Sequence, residues 1–425
     1  MNKPYQKFTF KNGLRLITVP MKNTQAVTVL VLVGTGSKYE TKEINGISHF
    51  LEHMFFKGTK KRPSTAKLIE PLDKIGGEYN AFTGQENTGF EAKVDSRHLD
   101  IALDWVSDIF LNSKLNSAEI EREKGVIIEE INMYLDDPKR YVPDLWDKLL
   151  YGDQPAGWLI SGEKENVKKF QRNDFNDYLK NHYSASNTVI CIAGNIGRAE
   201  MLKKEIEKKF KAINITKPES RKSVIFSQKK PEILIHHKAT DQTHLCLGVR
   251  AYNNFHKDKY ILKVLNSVIG GGMSSRMWIS IRERKGLAYY VWVYNSTDLD
   301  AGFLLTQAGV NNDKVDEAIS EILNQFKLIR DKRISAKELR KAKDFMRGNT
   351  ILSMESSGAQ ASFCASQELY ENRILTLDKI FAKIEAVTAE DIQRVAKDIF
   401  KPEKLNLALI GPFKDKSKFE KILKI

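Results

Sequence analysis

The sequence predicts an α+β protein of two similar domains, each a mainly antiparallel sheet packed with helices. Three observations carry this reading. A unit of helix, short loop, apolar strand and glycine occurs twice at a fixed offset of 217 residues, once from Asp174 to Gly194 and once from Asp391 to Gly411. Within it Asp174 aligns with Asp391, Tyr183 with Phe400 and Gly194 with Gly411, without a gap. Strand-like and helix-like segments are grouped rather than strictly alternating, which favours α+β over a doubly wound sheet. The chain has 425 residues, 41% hydrophobic and 29% charged, enough for two domain-sized cores and too apolar for wholesale disorder.

The elements follow in order. Residues 8–10 and 14–18 read as a hairpin across Asn12-Gly13, a dipeptide suited to a tight turn between strands. Residues 27–33, apolar except for Thr28, are too short a run to cross a membrane and read as a buried strand. Helical periodicity covers 44–56, 65–75 and 117–134, and the first repeat unit follows. The Lys- and Ser-rich stretch 217–230 reads as a linker. After it come strands at 233–236 and 245–249 and a helix at 313–329, then the second repeat unit. Gln25 and Gln242, at the heads of two apolar strands, share the same offset. The division is therefore 1–216 for the first domain, 217–230 for the linker and 231–425 for the second domain.

The chain carries 68 Lys+Arg against 54 Asp+Glu, a formal charge of +14. No zinc-finger spacing, RNA-recognition motif or basic-aromatic stripe accompanies that charge, so no nucleic-acid partner is expected and the lysines read as solvated surface. The three cysteines, Cys191, Cys246 and Cys364, form no CxxC pair, which argues against a disulfide framework. With no apolar leader-like region and no membrane-length run, a cytoplasmic protein with no membrane partner is expected.

The informative segment is Gly46-Ile-Ser-His49-Phe-Leu-Glu52-His53-Met-Phe-Phe. It contains H-x-x-E-H. On a helix His49 and His53 are i, i+4 and leave the same face one turn apart. Two imidazoles so placed reach one zinc ion at about 2.0–2.1 Å. Glu52 lies beside them and can reach a water near the ion, the position of a general base. The expected number of chance matches in a chain with 8 His is on the order of 0.01. The flanking Ile47, Phe50, Leu51, Met54 and Phe55 imply a largely buried helix, where unpaired imidazoles are costly.

A catalytic zinc takes a third protein ligand and leaves a position open. Residues 101–150 hold 11 acidic against 6 basic residues, counter to the trend of the chain. Glu123 and Glu130 are i, i+7 and share one helix face there, while spacing alone leaves Glu129 open as an alternative.

His49, Glu52, His53 and a glutamate 77 residues later resemble the inverted zinc motif of the pitrilysin (inverzincin) metallopeptidases, with a likeness that covers nearly the whole chain. The family's Val-Ile-x-x-Glu pattern selects Glu130 as the third ligand, and Glu123 matches a supporting carboxylate of the catalytic group. Gly76 to Thr83 resembles the family's active-site edge strand, which implies that Asn80, Ala81 and Phe82 bind substrate by strand addition. Gly270 to Arg276 and Arg282 to Tyr289 resemble glycine-rich and Arg/Tyr segments, which implies that Arg282 and Tyr289 contact substrate and the developing oxyanion.

The resemblance implies a Zn2+-dependent endopeptidase acting on peptides or unfolded segments, of the half-length bacterial type similar to the mitochondrial processing peptidase β subunit. It implies association as a homodimer, or as a heterodimer with a related subunit. The alternative is a non-catalytic partner subunit of a heterodimeric processing peptidase. Shifting His49–His53 by 217 gives Asn266 to Gly270, which holds no ligand, so the second domain is expected to bind substrate without a metal.

Overall fold

The computed structural model describes residues 4–425. Eleven strands form two sheets among these residues. The first sheet holds β1 (Gln6–Thr9), β2 (Arg15–Pro20), β3 (Ala26–Val33), β4 (Glu78–Thr83), β5 (Thr88–Asp95) and β6 (Thr188–Gly194). The second holds β7 (Glu232–His237), β8 (Gln242–Arg250), β9 (Ala288–Thr297), β10 (Gly302–Asn311) and β11 (Leu405–Gly411).

The strand order is β1-β2-β6-β3-β5-β4 in one sheet and β7-β11-β8-β10-β9 in the other. Apart from β1 the two orders are the same. Each sheet is antiparallel except for one parallel pair, β2–β6 in the first and β7–β11 in the second. The duplication is thus visible in topology. Its offset holds at both ends of β2 and β7 (15 to 232, 20 to 237) and of β6 and β11 (188 to 405, 194 to 411). Helices Arg172–His182 and Ala389–Ile399 even begin with the same capping box, Gln171 with Asp174 and Thr388 with Asp391, again 217 apart. The fold is α+β with two similar domains.

The chain forms two compact units that are not contiguous in sequence. One contains residues 4–131, Leu159–Lys222 and Ile351–Thr376, and the other contains Asn132–Trp158, Ser223–Thr350 and Leu377–Ile425. The crossing at Lys222/Ser223 falls in the Lys- and Ser-rich stretch. The segments 132–158 and 351–376 make an exchange between the two halves of the sequence.

In the first unit, helix Ser357–Glu371 lies on β3, β6 and β2, while helix Leu99–Asn112 packs against β5 and β3. In the second, helix Pro138–Tyr151 lies on β11, β8 and β7. Helices on both faces explain why the central strands are apolar throughout rather than alternating. Leu30, Leu32, Val189 and Cys191 pack with Ala361, Cys364 and Ala365. Trp146, with Val142 and Leu145, packs on Cys246, Leu305, Ala408 and Ile410. The three cysteines are buried and unpaired. No helix among the described residues is long and apolar enough to cross a membrane.

Candidate active site

The two histidines stand on helix Ile47–Phe55, three residues shorter at its N-terminus than the periodicity predicted. Gly46 sets that boundary. Its φ is +101°, and a Cβ there would lie 2.7 Å from the Ser161 carbonyl oxygen, so a glycine is required for the chain to pass. Ile47, Phe50, Leu51, Met54 and Phe55 are fully buried and fix the helix against the body of the unit. Phe50 meets Phe170 and Phe175, and Phe55 meets Phe90 and Phe110. The remaining face carries His49, Glu52 and His53, with the two imidazole centroids 4.7 Å apart.

The carboxylates come from helix Ser117–Asp136, held by buried Ile120, Ile127 and Ile131. Glu130 Oε2 lies 3.7 Å from His49 Nε2 and 3.4 Å from His53 Nε2. Donor atoms of a tetrahedral ion at bond lengths of 2.0–2.1 Å sit about 3.3 Å apart, so these three side chains have the spacing of a ligand set. They are the one group of three or more His, Cys, Asp or Glu among the described residues with a donor atom from each within 4.8 Å of the others. Glu129, which spacing left open, is not in that group.

Glu123 supports the group from behind. Its Oε1 is 2.9 Å from His53 Nδ1, and its Oε2 is 2.5 Å from Lys57 Nζ. Burial alone would raise its pKa, but the hydrogen bonds from His53 and Lys57 outweigh it and hold the carboxyl below its ordinary value. Burial likewise disfavours charge on His53, yet its contacts with Glu123 and Glu130 dominate and raise its pKa. His49 moves the other way, lowered by burial and then by the charge of His53. The hydrogen bond with His53 holds Glu130 low. This corner therefore favours positive charge but tolerates only one protonated imidazole. Two neutral imidazole nitrogens and a carboxylate are a donor set that fits zinc.

Glu52 faces the edge of the first sheet. Thr83 Oγ1, at the end of β4, donates to Glu52 Oε2 at 2.6 Å. Burial raises the Glu52 pKa, against the Thr83 hydrogen bond that lowers it. A carboxylate so raised is a better proton acceptor than a solvated one.

Asn80, Ala81 and Phe82 lie in the middle of β4, which pairs with β5 on one side and is the last strand of its sheet. Alternation along β4 sends Tyr79 to the rings of Phe56 and Trp105 and Thr83 to Glu52. Phe82 points to the opposite face, beside the helix Ser357–Glu371 cluster. The strand thus couples its outer edge to the residues around the histidines.

Arg282 and Tyr289 belong to the second unit and are brought together with each other. Arg282 lies in the π-helical segment Trp278–Arg284, and Tyr289 is in β9, so their spacing of seven is not that of one helix. The register of β9 against β10 pairs Ala288 with Val310 and Tyr290 with Gly309, leaving Tyr289 as the extra residue of a β-bulge. The bulge turns its ring outward, 75% exposed. The Arg282 guanidinium lies over that ring at 5.0 Å and donates to the Tyr289 carbonyl.

Three residues with a part in this geometry were not singled out from the sequence. Lys57 is i+4 from His53, so helical spacing alone could have marked it. Thr83 shares a strand face with Ala81, a weak signal. The third, Glu40, whose carboxylate accepts from the Gly46 and Ser48 amides at the start of the histidine helix, has no sequence signal, because it reaches them across a loop.

The sequence matches the family described as Insulinase (Peptidase family M16) over residues 15–163 and the Peptidase M16 inactive domain over residues 169–346. It is 38% identical over 414 residues to a Bacillus subtilis protein named "Uncharacterized zinc protease YmxG", covering 96% of this chain and 98% of that one. It is 30% identical over 419 residues to "Uncharacterized zinc protease SCO5738" of Streptomyces coelicolor, covering 97% of this chain and 90% of that protein. Among solved structures, a protease from Helicobacter pylori superposes with a TM-score of 0.88 at 24% identity, covering 96% of this chain and 99% of that one. An M16 inactive-domain protein of Pseudomonas fluorescens has the same TM-score at 15% identity, covering 96% and 98%. The two structures share the fold, and the sequence relatives carry the kinship: this chain belongs to peptidase family M16.

Proposed function

We propose that this chain is a zinc-dependent endopeptidase that hydrolyses peptides or unfolded segments bound as an added strand along β4. The observation that carries the reading is the convergence of His49, His53 and Glu130 beside Glu52. The zinc-protease names of the relatives support the same metal.

His49 and His53 would bind the ion through Nε2 and Glu130 through its carboxylate. When bound, zinc supplies Lewis-acid polarisation of a water molecule and of the scissile carbonyl. Glu52 takes a proton from the attacking water and passes it to the leaving amine nitrogen. Thr83 holds the Glu52 carboxylate toward the strand edge. Glu123 holds His53 through Nδ1, fixing the ring and its tautomer.

The free edge at Asn80, Ala81 and Phe82 offers main-chain hydrogen bonds to an extended peptide with little regard for its sequence. We assign Arg282 and Tyr289 to contact with the peptide and its developing negative charge. The outward turn of Tyr289 and the cation stacked on it support that assignment. The first domain is read as catalytic and the second as substrate-binding. The test is a Glu52→Gln variant, which keeps zinc and loses peptide cleavage. A variant that still cleaves at the wild-type rate removes Glu52 from the mechanism.

A further inference from the structure

Glu40 is almost wholly buried, yet no step above uses it. It follows the one-turn helix Ser37–Tyr39, and its carboxylate reaches the start of the histidine helix. Oε2 accepts from the Gly46 amide at 2.8 Å and from Asn45 Nδ2 at 2.9 Å, and Oε1 accepts from the Ser48 amide at 2.9 Å. Three N–H donors thus converge on one carboxylate. Ser48 Oγ continues the network to the Tyr178 hydroxyl at 2.7 Å, and that hydroxyl meets Thr35 Oγ1 at 2.8 Å.

The first amides of a helix have no partner within it, and a nearby side chain normally supplies one. Here the position before the helix is Gly46, forced to glycine by the close passage of Ser161 and Gly162, and it offers no side-chain cap. Glu40 supplies the cap from a distance, with a negative charge where the helix dipole favours one. Ser48 directly precedes His49, and His53 is one turn further. The backbone that sets the positions of both imidazoles is therefore anchored at the carboxylate.

We propose that Glu40 is a positioning residue: by capping the histidine helix from across the loop it sets where His49 and His53 stand relative to Glu130, and so sets metal affinity and turnover. Burial raises its pKa to about 7, against the opposing hydrogen bonds from Ser48, Gly46 and Asn45. A buried carboxylate at that cost is a poor choice for stability alone. Its place here makes sense if the charged form holds the helix.

The inference rests on the metal reading of His49, His53 and Glu130, and the experiment separates the two. Zinc affinity by chelator competition, kcat and KM on an unstructured peptide, and melting of the metal-free chain at pH 8 are measured for wild type and Glu40→Gln. Expected are a 10–100-fold loss of zinc affinity, of the order seen when supporting groups of metal ligands are removed, a lower kcat and an unchanged KM. The metal-free melting temperature stays the same or rises, which a purely structural role would not give. Zinc affinity and kcat equal to wild type overturn the inference while leaving the metal site intact.

A wild-type chain that binds no zinc overturns the metal reading, and this inference with it. If Glu40→Gln does not fold, Asn45→Ala removes one of the three donors. A smaller zinc-affinity loss in the same direction is then expected, and no loss overturns the proposal.

Discussion

Thr83 Oγ1 donates to Glu52 Oε2 at 2.6 Å, which ties the proposed base to the end of the strand proposed to bind substrate. The contact joins two elements distant in sequence, the histidine helix and β4. Loss of one hydrogen bond to a charged group costs about 1.5–3 kcal/mol, or roughly 10–150-fold if it is realised in the transition state. Thr83→Val is predicted to lower kcat within that range with zinc content unchanged, as read by steady-state kinetics and metal analysis. Loss of zinc in this variant would show that Thr83 acts on the ligands instead.

Glu123 is sandwiched between His53 and Lys57. Glu123→Ala should weaken zinc binding about 10–100-fold, since it frees the His53 ring proposed to bind the metal. Lys57→Met leaves the Glu123–His53 contact in place and should cost less. Chelator competition on the two variants checks the order, and a larger loss from Lys57→Met would reverse the roles.

The exchanged helix Ser357–Glu371 is pinned by charge as well as by packing. Glu368 is fully buried, with Lys7 Nζ at 2.6 Å and Arg15 Nη1 at 3.6 Å from its Oε1. Burial lowers the Arg15 pKa while Glu368 opposes the shift. Removing Glu368 lets the exposed Lys7 turn to water but leaves the half-buried Arg15 without its opposite charge, so Glu368→Ala is predicted to cost about 2 kcal/mol by denaturant unfolding. A loss below about 1 kcal/mol would mean that apolar packing alone holds this helix.

Glu40 gives a pH dependence of defined sign. Its folded pKa of about 7 stands above the ordinary 4.5. The folded state therefore holds a proton that the unfolded state has released between those values. The stabilising contribution is present below about pH 4.5 and is lost as pH rises through about 7, by roughly 3 kcal/mol. Asp144, raised by burial to about 6, adds to the same trend. In metal-free protein, wild type should lose more stability than Glu40→Gln between pH 5 and 8. Parallel profiles would show that Glu40 does not titrate in this window.

Much of this was legible in the sequence because it is local or periodic. Two histidines four apart come close enough to share one ion on a helix, and the 217-residue offset reappears in β2 and β7 and in matched capping boxes. Glu130 needed more than spacing, which left Glu129 open: the family resemblance selected it, and helix Ser117–Asp136 sets its carboxylate 3.7 and 3.4 Å from the two histidine nitrogens. The exchange of 132–158 and 351–376 was not legible, because an amphipathic helix records that it has an apolar face and not which sheet covers it. The bulge at Tyr289 and the reach of Glu40 depend on register and on a loop crossing, which leave no periodic trace.

The most direct test is metal content with reversible inactivation. Purified chain is analysed for zinc, then assayed on an unstructured peptide before chelation, after it and after zinc is returned. The prediction is one zinc per chain, with cleavage abolished by the chelator and restored by the metal. Cleavage that persists in metal-free protein, or a chain that binds no zinc when His49, His53 and Glu130 are intact, would contradict it.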